Sequence, residues 1–220
     1  MATNEFQTKR VHFIRHGESL CNKLRRELKV HLLPIEEQPV IVDAALTQEG
    51  KEQAKSLKEY IATLQPEIAV SSPFTRALQT CLLSYGSENV IVTPLCGETM
   101  SATCDVIGLP ASSLKVLHPM FDFSSLEEIW WYIQDDIKSQ PKAVNLLTQG
   151  KLSEESQDLI ATRVGKFYEF LCKIPQQNIV VYSHCDFLLA FLSKYFGSNK
   201  TWLKNCEVHS VNFSQIPVPQ

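Results

Sequence analysis

Five short apolar runs, separated by longer helical segments, constrain the fold more than any other feature of the sequence. The runs are four to six residues long and almost continuously apolar, which is typical of strands covered on both faces. Because helical segments lie between them, the strands are expected to form a mainly parallel sheet with helices on both sides. We predict strands at Val11–Ile14, Ile68–Ser71, Val90–Thr93, Asn178–Tyr182 and Val208–Phe213.

The intervening segments predict the helical layers. The clearest amphipathic pattern starts at Thr47, which is a good N-cap residue. Gly86 marks the end of a later helix, Thr75–Tyr85. The predicted fold class is α/β: a three-layer α/β/α sandwich with a mainly parallel mixed sheet, in one domain over residues 1–220. Loop insertions are expected near residues 31–45, 99–125 and 139–152. We predict helices at Ser19–Val30, Thr47–Leu64, Thr75–Tyr85, Leu126–Ile137, Ser153–Cys172 and Phe187–Phe196.

Composition excludes several classes of protein. With 44% hydrophobic and 20% charged residues, the 220-residue chain is neither disordered nor of low complexity. A formal net charge of -3 gives no global basic field, so we expect neither nucleic acid nor a membrane as a partner. No apolar leader or membrane span is evident, and seven cysteines without a CxxC pair favour reduced thiols. We therefore expect a cytoplasmic protein without a zinc cluster; its oligomeric state stays open.

Polar residues follow four of the predicted strands. Arg15 and His16 end the first strand, Arg76 follows the second, Glu98 the third, and His184 ends the fourth. In open α/β sheets, ligands bind beyond the carboxyl ends of the strands, so these residues are expected to meet. Each residue type alone is common on protein surfaces, but their joint placement favours a shared site. Arginine donors match phosphate oxygens, so the set predicts a site for a dianionic phosphate.

Four segments, in order, resemble one known family. The chain is similar to the histidine phosphatase superfamily, on its phosphoglycerate mutase-like branch, from Val11 to Val208. Further segments, DFSSLEEIWW and NCEV, are similar to an uncharacterised subgroup of that branch. A lone RHG tripeptide is weak evidence, whereas four elements on the expected secondary structure are specific. The four segments are VHFIRHGESLCN, DAALTQEGKEQA, SSPFTRALQTC and VVYSHCDFLLAFL.

The resemblance implies a role for each site residue, and it implies no metal or other cofactor. His16 is the implied nucleophile, forming a phosphohistidine. Glu98 is the implied acid that protonates the leaving alcohol and then activates water. It is preferred to Glu88 because its spacing to Asp105 and Gly108 resembles the family pattern. The implied phosphate-binding residues are Arg15, Asn22, Arg76 and His184.

The second-histidine segment departs from the family pattern. The usual SHGG reads Ser183-His184-Cys185-Asp186, so two glycines are replaced. Glycine allows a backbone to approach phosphate closely, and Asp186 adds a negative charge near an anion site. We expect Asp186 to turn outward as a residue of the first helical turn.

The resemblance favours a phosphatase that hydrolyses phosphomonoesters through a phosphohistidine, without a metal ion. The substrate is expected to be a phosphorylated small molecule or a phosphoprotein. The segment that follows RHGE in the family's mutases is absent here, but mutase-type phosphoryl transfer stays an alternative. A catalytically weak phosphoprotein-binding module is a further alternative. Two features have open roles. The basic residues Lys23, Arg25 and Arg26 form either an extra phosphate site or a solvated basic face. The aromatic segment Trp130–Tyr132 lines either a substrate pocket or the core.

Overall fold

The structure is a computed structural model that describes residues 9–29, 37–100, 106–134, 137, 139–197 and 202–213. Within them, five strands form one sheet in the order β3-β2-β4-β1-β5. Strand β5 is antiparallel to β1, and the other neighbours are parallel. All five predicted strands are confirmed to within one residue at each end. They are β1 (Arg10–Arg15), β2 (Ile68–Ser71), β3 (Val90–Val92), β4 (Asn178–Ser183) and β5 (Val208–Asn212).

Eight α-helices are present in the described residues, with a short 3-10 turn at Pro94–Cys96 after β3. The predicted cap at Thr47 is confirmed, since its hydroxyl accepts the N–H of Gly50. The helices are α1 (Leu20–Leu28), α2 (Gln48–Ser56), α3 (Lys58–Leu64), α4 (Thr75–Ser84), α5 (Ala111–Leu117), α6 (Gln140–Thr148), α7 (Gln157–Lys173) and α8 (Cys185–Phe196).

Side chains of successive strand residues enter two separate apolar clusters. Phe13 and Val181 pack in the cluster that includes α7 and α8. Their neighbours Ile14 and Tyr182 pack in the other cluster, with Leu78 of α4. Because strand side chains alternate between faces, helices cover both sides of the sheet. The predicted α/β/α sandwich with a mainly parallel mixed sheet is therefore confirmed.

The helix predicted at Leu126–Ile137 is wrong: residues 126–134 and 137 are not helical. The backbone carbonyl of Glu128 accepts the N–H of Ala111, and its carboxylate accepts the N–H of Ser112, so Glu128 caps the start of α5. Trp130 and Trp131 are both buried although they are adjacent. An amphipathic helix on a surface buries one stripe, so these contacts favour an irregular segment over a helix.

Two predicted insertions contain helices, and one predicted helix is divided. Helix α6 lies within 139–152, where Pro141 stands in the first turn and Gly150 at φ 62° follows the end. Ala143 and Leu147, one turn apart, bury the inner face of α6. Helix α5 lies within the predicted insertion 99–125. The predicted helix Thr47–Leu64 is divided at Leu57 into α2 and α3. Of the predicted insertion at 31–45, residues 31–36 lie outside the described residues.

A search of the described helices for an apolar stretch long enough to cross a membrane finds none.

Candidate active site

The carboxyl ends of β1, β2 and β4 bring two histidines together. The backbone N–H of His16 donates to the carbonyl of Ser183 at 3.0 Å, and that of Ser72 donates to the carbonyl of Tyr182 at 3.0 Å. The segments that follow β1, β2 and β4 therefore leave the sheet side by side. The imidazole centroids of His16 and His184 lie 5.1 Å apart. The structure thus places both predicted histidines at one edge of the sheet.

The His16 imidazole is buried and held in one orientation. Its Nδ1 lies 2.7 Å from the carbonyl oxygen of Gly17, which can only accept, so Nδ1 carries the proton. Burial, reinforced by Arg76 and then Arg15, holds the pKa of His16 well below its ordinary value of 6.5. The imidazole is therefore neutral at pH 7, with the lone pair on Nε2. Arg76 Nε donates to that lone pair at 3.2 Å.

Asp43 positions Arg76 through the start of α4. Its two carboxylate oxygens accept the N–H of Thr75 at 2.8 Å and the Thr75 hydroxyl at 2.6 Å. Burial raises the pKa of Asp43 to about 6, against the lowering effect of these bonds. Arg76 is fully buried, with its guanidinium 4.4 Å from the centroid of the Phe74 ring. Asp43 lies in the DAALTQEG segment, but nothing in the sequence gave it this role.

His184 directs one nitrogen to a serine and leaves the other unmatched. The Ser72 hydroxyl oxygen accepts the N–H of Phe74 at 3.3 Å and lies 2.8 Å from His184 Nε2. The Ser72 hydroxyl has one proton and a second lone pair, so it pairs with Nε2 in either tautomer of His184. The Nδ1 of His184 is buried and has no hydrogen-bond partner among the described residues. Burial and the nearby Arg76 hold the pKa of His184 well below its ordinary value.

Arg15 and Asn22 line a cavity of about 460 Å³, together with Cys185 and Asp186 at the start of α8. One guanidinium nitrogen of Arg15 donates to the Leu203 carbonyl at 2.7 Å, while its Nε has no partner among the described residues. The Asn22 side-chain oxygen accepts from Ser19 N–H and from Asn205 Nδ2, so its amide nitrogen is the group left to donate outward. Asn205 Nδ2 also donates to the His16 carbonyl at 2.9 Å. The sequence placed Asn205 in the NCEV segment without a role.

The basic residues of α1 differ in their surroundings. Arg25 and Arg26 line the same 460 Å³ cavity as Arg15. Arg26 forms an ion pair with the buried carboxylate of Glu18, whose other oxygen accepts from the Thr47 hydroxyl at 2.7 Å. Arg26 is thus held in the lining of the cavity by its ion pair with Glu18.

Glu98 follows the 3-10 turn after β3 and faces the start of α8. Its Oε1 accepts the N–H of Thr99 at 2.9 Å and of Phe187 at 3.1 Å. Burial and the charge of Asp186 raise the pKa of Glu98 to about 7, although these N–H groups and Arg76 lower it. Glu98 is therefore partly protonated at neutral pH. Glu88, the other carboxylate considered, is exposed in the turn before β3.

Arg163 holds the backbone on either side of Glu98. Its guanidinium donates to the carbonyl of Gly97 at 2.7 Å and, at 3.4 Å, to that of Glu98. It also forms a bidentate pair with Glu155, at 2.9 and 2.7 Å. Glu155 in turn accepts the N–H of Met100 at 3.4 Å. This positioning pair was not anticipated, because Arg163 lies within an ordinary amphipathic stretch of α7.

Cys185 and Asp186, which replace the family's glycines, both face the site. Contrary to the expectation that Asp186 turns outward, it lines the 460 Å³ cavity with Cys185 and Arg15. One ligand atom from each of Glu98, Cys185 and Asp186 lies within 4.8 Å of the others, an arrangement that could hold a metal ion. Within the described residues the Cys185 thiol donates to Glu98 Oε2 at 3.7 Å.

Comparisons with known proteins agree with this architecture. A family model described as histidine phosphatase superfamily (branch 1) matches residues 11–95. A protein from Arabidopsis thaliana named phosphoglycerate mutase-like protein is 24% identical, over 92% of this chain and 83% of its own.

Solved structures share the fold at low sequence identity. A provisionally assigned alpha-ribazole-5'-P phosphatase from Escherichia coli is 19% identical with a TM-score of 0.59, covering 94% of this chain and 91% of its own. A mycobacterial glucosyl-3-phosphoglycerate phosphatase is 18% identical with a TM-score of 0.55, covering 92% of each chain. The family model and the curated relative confirm the resemblance to the histidine phosphatase superfamily that the motifs predicted, and the solved structures share the fold.

Proposed function

We propose that this protein hydrolyses phosphomonoesters through a phosphohistidine formed on His16 Nε2, without a metal ion. The observation that carries the proposal is the state of His16. Its Nδ1 proton is committed to the Gly17 carbonyl, which leaves Nε2 as a neutral nucleophile 3.2 Å from Arg76. A nitrogen nucleophile of this kind divides one difficult hydrolysis into two easier steps.

The phosphoryl group is bound by the cations and donors around His16. Arg76 lies on one side of the imidazole, Arg15 has an unmatched Nε, and His184 has an unmatched Nδ1. Asn22 adds an amide donor, and the N-terminus of α8 directs N–H groups toward the same region. Donors aimed at the equatorial oxygens stabilise the charge of the transition state.

Glu98 supplies and then removes a proton. In the first step, Nε2 attacks phosphorus, the phosphorus–oxygen ester bond breaks, and the leaving oxygen takes the proton of Glu98. In the second step, the Glu98 carboxylate takes a proton from water, whose oxygen attacks phosphorus as the phosphorus–nitrogen bond breaks. Inorganic phosphate leaves, and His16 and Glu98 return to their starting states. A pKa of about 7 suits a group that acts in both directions.

The test is to trap the intermediate with a ³²P-labelled substrate by rapid quenching in buffer with a chelator. We expect an acid-labile, base-stable phosphoenzyme labelled at His16. His16→Asn keeps a donor for the Gly17 carbonyl but removes Nε2, so it should lose the label and turnover while it stays folded. His209→Gln, on β5, is the matched control and should keep both.

Three results overturn the proposal. They are a label that survives acid, a label on another residue, and turnover that returns only when a divalent metal is added. The mutase alternative is tested in the same preparation with 3-phosphoglycerate: conversion to 2-phosphoglycerate faster than phosphate release contradicts hydrolysis as the main reaction.

A further inference from the structure

A cavity of about 210 Å³ lies beside Glu98 and is separate from the 460 Å³ cavity that Arg15 lines. Its walls are mainly apolar and aromatic: they include Phe74, Trp130, Trp131 and Tyr132. An engineered apolar cavity of about 150 Å³ is large enough to bind benzene, so this cavity has room for a ring. The aromatic walls offer edge and face contacts to such a ring.

The cavity and the phosphate site share two walls. Phe74 lines the cavity, and its ring also lies 5.2 Å from the His184 imidazole and 4.4 Å from the Arg76 guanidinium. Glu98 is the other shared wall. In an in-line reaction, the leaving oxygen lies opposite His16 and must reach the acid. Because Glu98 lines this cavity, a leaving group that receives its proton can enter the cavity.

Apart from Glu98, the charged residues in the cavity wall are paired with each other. Arg163 and Glu155 both line the cavity, but they form a bidentate ion pair, and Arg163 also donates to the Gly97 carbonyl. A charged leaving group would therefore lose its hydration without gaining a counter-charge. The 460 Å³ cavity differs, since three arginines and one aspartate line it.

One residue of the cavity wall has a polar atom without a partner among the described residues. Trp131 is 5% exposed, and its indole Nε1 has no acceptor among the described residues. The adjacent Trp130 donates its own Nε1 to the Leu109 carbonyl at 2.8 Å. Buried indole N–H groups usually find an acceptor, so the Trp131 donor points to a ligand that carries one.

We propose that this cavity binds the leaving group of the substrate, and that the preferred substrates are phosphomonoesters of uncharged, ring-bearing alcohols with an acceptor oxygen for Trp131. The inference rests on the proposed function for the direction in which the leaving group extends. The contacts that select the ring are made in the bound state, so they are testable by binding as well as by turnover.

The experiment measures the Kd of two phosphonates by calorimetry. Propylphosphonate and 3-phenylpropylphosphonate replace the ester oxygen by a methylene and differ only in the ring. Burial of an aromatic side chain contributes about 1.5–3 kcal/mol, so we expect the phenyl compound to bind about 10- to 100-fold more tightly. Val106→Phe fills the cavity and should bring the ratio of the two Kd values toward one. Val116→Phe, on the exposed face of α5, should leave the ratio unchanged.

The Trp131 donor is tested with phenylpropylphosphonates that carry a methoxy group at each ring position in turn. One isomer should bind more tightly than the unsubstituted compound and lose that gain in Trp131→Phe. This variant also keeps the test decisive if Val106→Phe does not fold.

The outcomes separate the two proposals. Equal Kd values for the two phosphonates in the wild type, a ratio that Val106→Phe does not change, or no gain from any methoxy isomer overturns the leaving-group assignment. Tight, ring-selective binding without hydrolysis of 2-phenylethyl phosphate supports the cavity assignment and contradicts the proposed hydrolysis.

Discussion

Gly17 and Gly50 approach so closely that neither position has room for a side chain. A Cβ atom on Gly17 would lie 2.5 Å from the Gly50 carbonyl oxygen, and one on Gly50 would lie 2.1 Å from the Glu18 carbonyl oxygen. The turn after β1 is thus packed directly on the first turn of α2. Since the Gly17 carbonyl holds His16 Nδ1, this backbone contact fixes the orientation of the proposed nucleophile.

Gly50→Ala is expected to destabilise the protein and to lower turnover. The added methyl group forces α2 away from the turn, and overpacking of this kind typically costs about 1–3 kcal/mol. Chemical denaturation measures the free energy of unfolding, and p-nitrophenyl phosphate turnover reports on His16.

Gly165→Ala, within α7, is the matched control for this substitution. A Cβ there would meet its nearest atom, the Tyr195 hydroxyl oxygen, at an ordinary 3.9 Å. Alanine is the better helix former, so this variant should gain about 0.5–1 kcal/mol. Equal stability changes in the two variants would show that the close approach at Gly50 has no cost.

Glu98→Gln is expected to slow phosphoenzyme formation from ethyl phosphate by about 10²–10⁴-fold while its formation from p-nitrophenyl phosphate changes far less. Glutamine keeps an oxygen that accepts from Thr99 and Phe187, but it has no acidic proton. An alkoxide needs that proton to leave, whereas nitrophenolate does not. Rapid-quench rates of phosphoenzyme formation from both substrates measure the difference, because they exclude the second step, in which Glu98 acts as the base for either substrate.

Glu88→Gln is the control for the loss of a carboxylate and should leave both rates unchanged, because Glu88 is exposed before β3. Equal losses on the two substrates in Glu98→Gln would contradict the assignment of Glu98 as the acid.

The pH profile is expected to identify both proposed groups. Glu98 must be protonated to donate, so ethyl phosphate turnover should fall as the pH rises through about 7. His16 must be neutral to attack. Because its pKa is lowered, the loss of turnover at acidic pH should occur well below pH 6.5. Asp186→Asn removes a charge that raises the pKa of Glu98. The upper limb of the pH profile, where turnover falls as the pH rises, should therefore move to lower pH. An upper limb that stays in place in this variant would show that Asp186 does not act on the acid.

The strands could be predicted from sequence because each apolar run contacts both helical layers, and such contacts leave a continuous pattern. The segment of Trp130 and Trp131 could not, because its conformation depends on distant partners. Trp130 bonds the Leu109 carbonyl, and Gly108 leaves room for both indoles, since a Cβ there would lie 2.5 Å from Trp130 and 2.9 Å from Trp131. Aromatic residues in a row resemble a helix pattern until those contacts are known.

The candidate site likewise contains residues that could be predicted from the sequence and residues that could not. His16 and His184 directly follow strands, and Arg76 lies in the first turn of the helix after β2, so their meeting follows from a parallel sheet. Asp43 and Arg163 act through backbone atoms of other segments, and the Gly97 carbonyl is 66 residues from Arg163 in sequence. No local pattern encodes such a contact, because any Arg on an amphipathic helix has the same periodicity.

Arg163→Lys is expected to weaken the proposed acid without removing it. Lysine keeps the positive charge but lacks the planar fork that joins Glu155 to the Gly97 and Glu98 carbonyls. A displacement of about 1 Å in a catalytic group can cost about 10²-fold. We therefore expect kcat for ethyl phosphate to fall by up to that factor, with a smaller effect on p-nitrophenyl phosphate. A general loss of folded protein would lower both rates equally, so the ratio of the two rates distinguishes positioning from stability. Arg10→Lys, at the exposed start of β1, is the matched control and should leave that ratio unchanged.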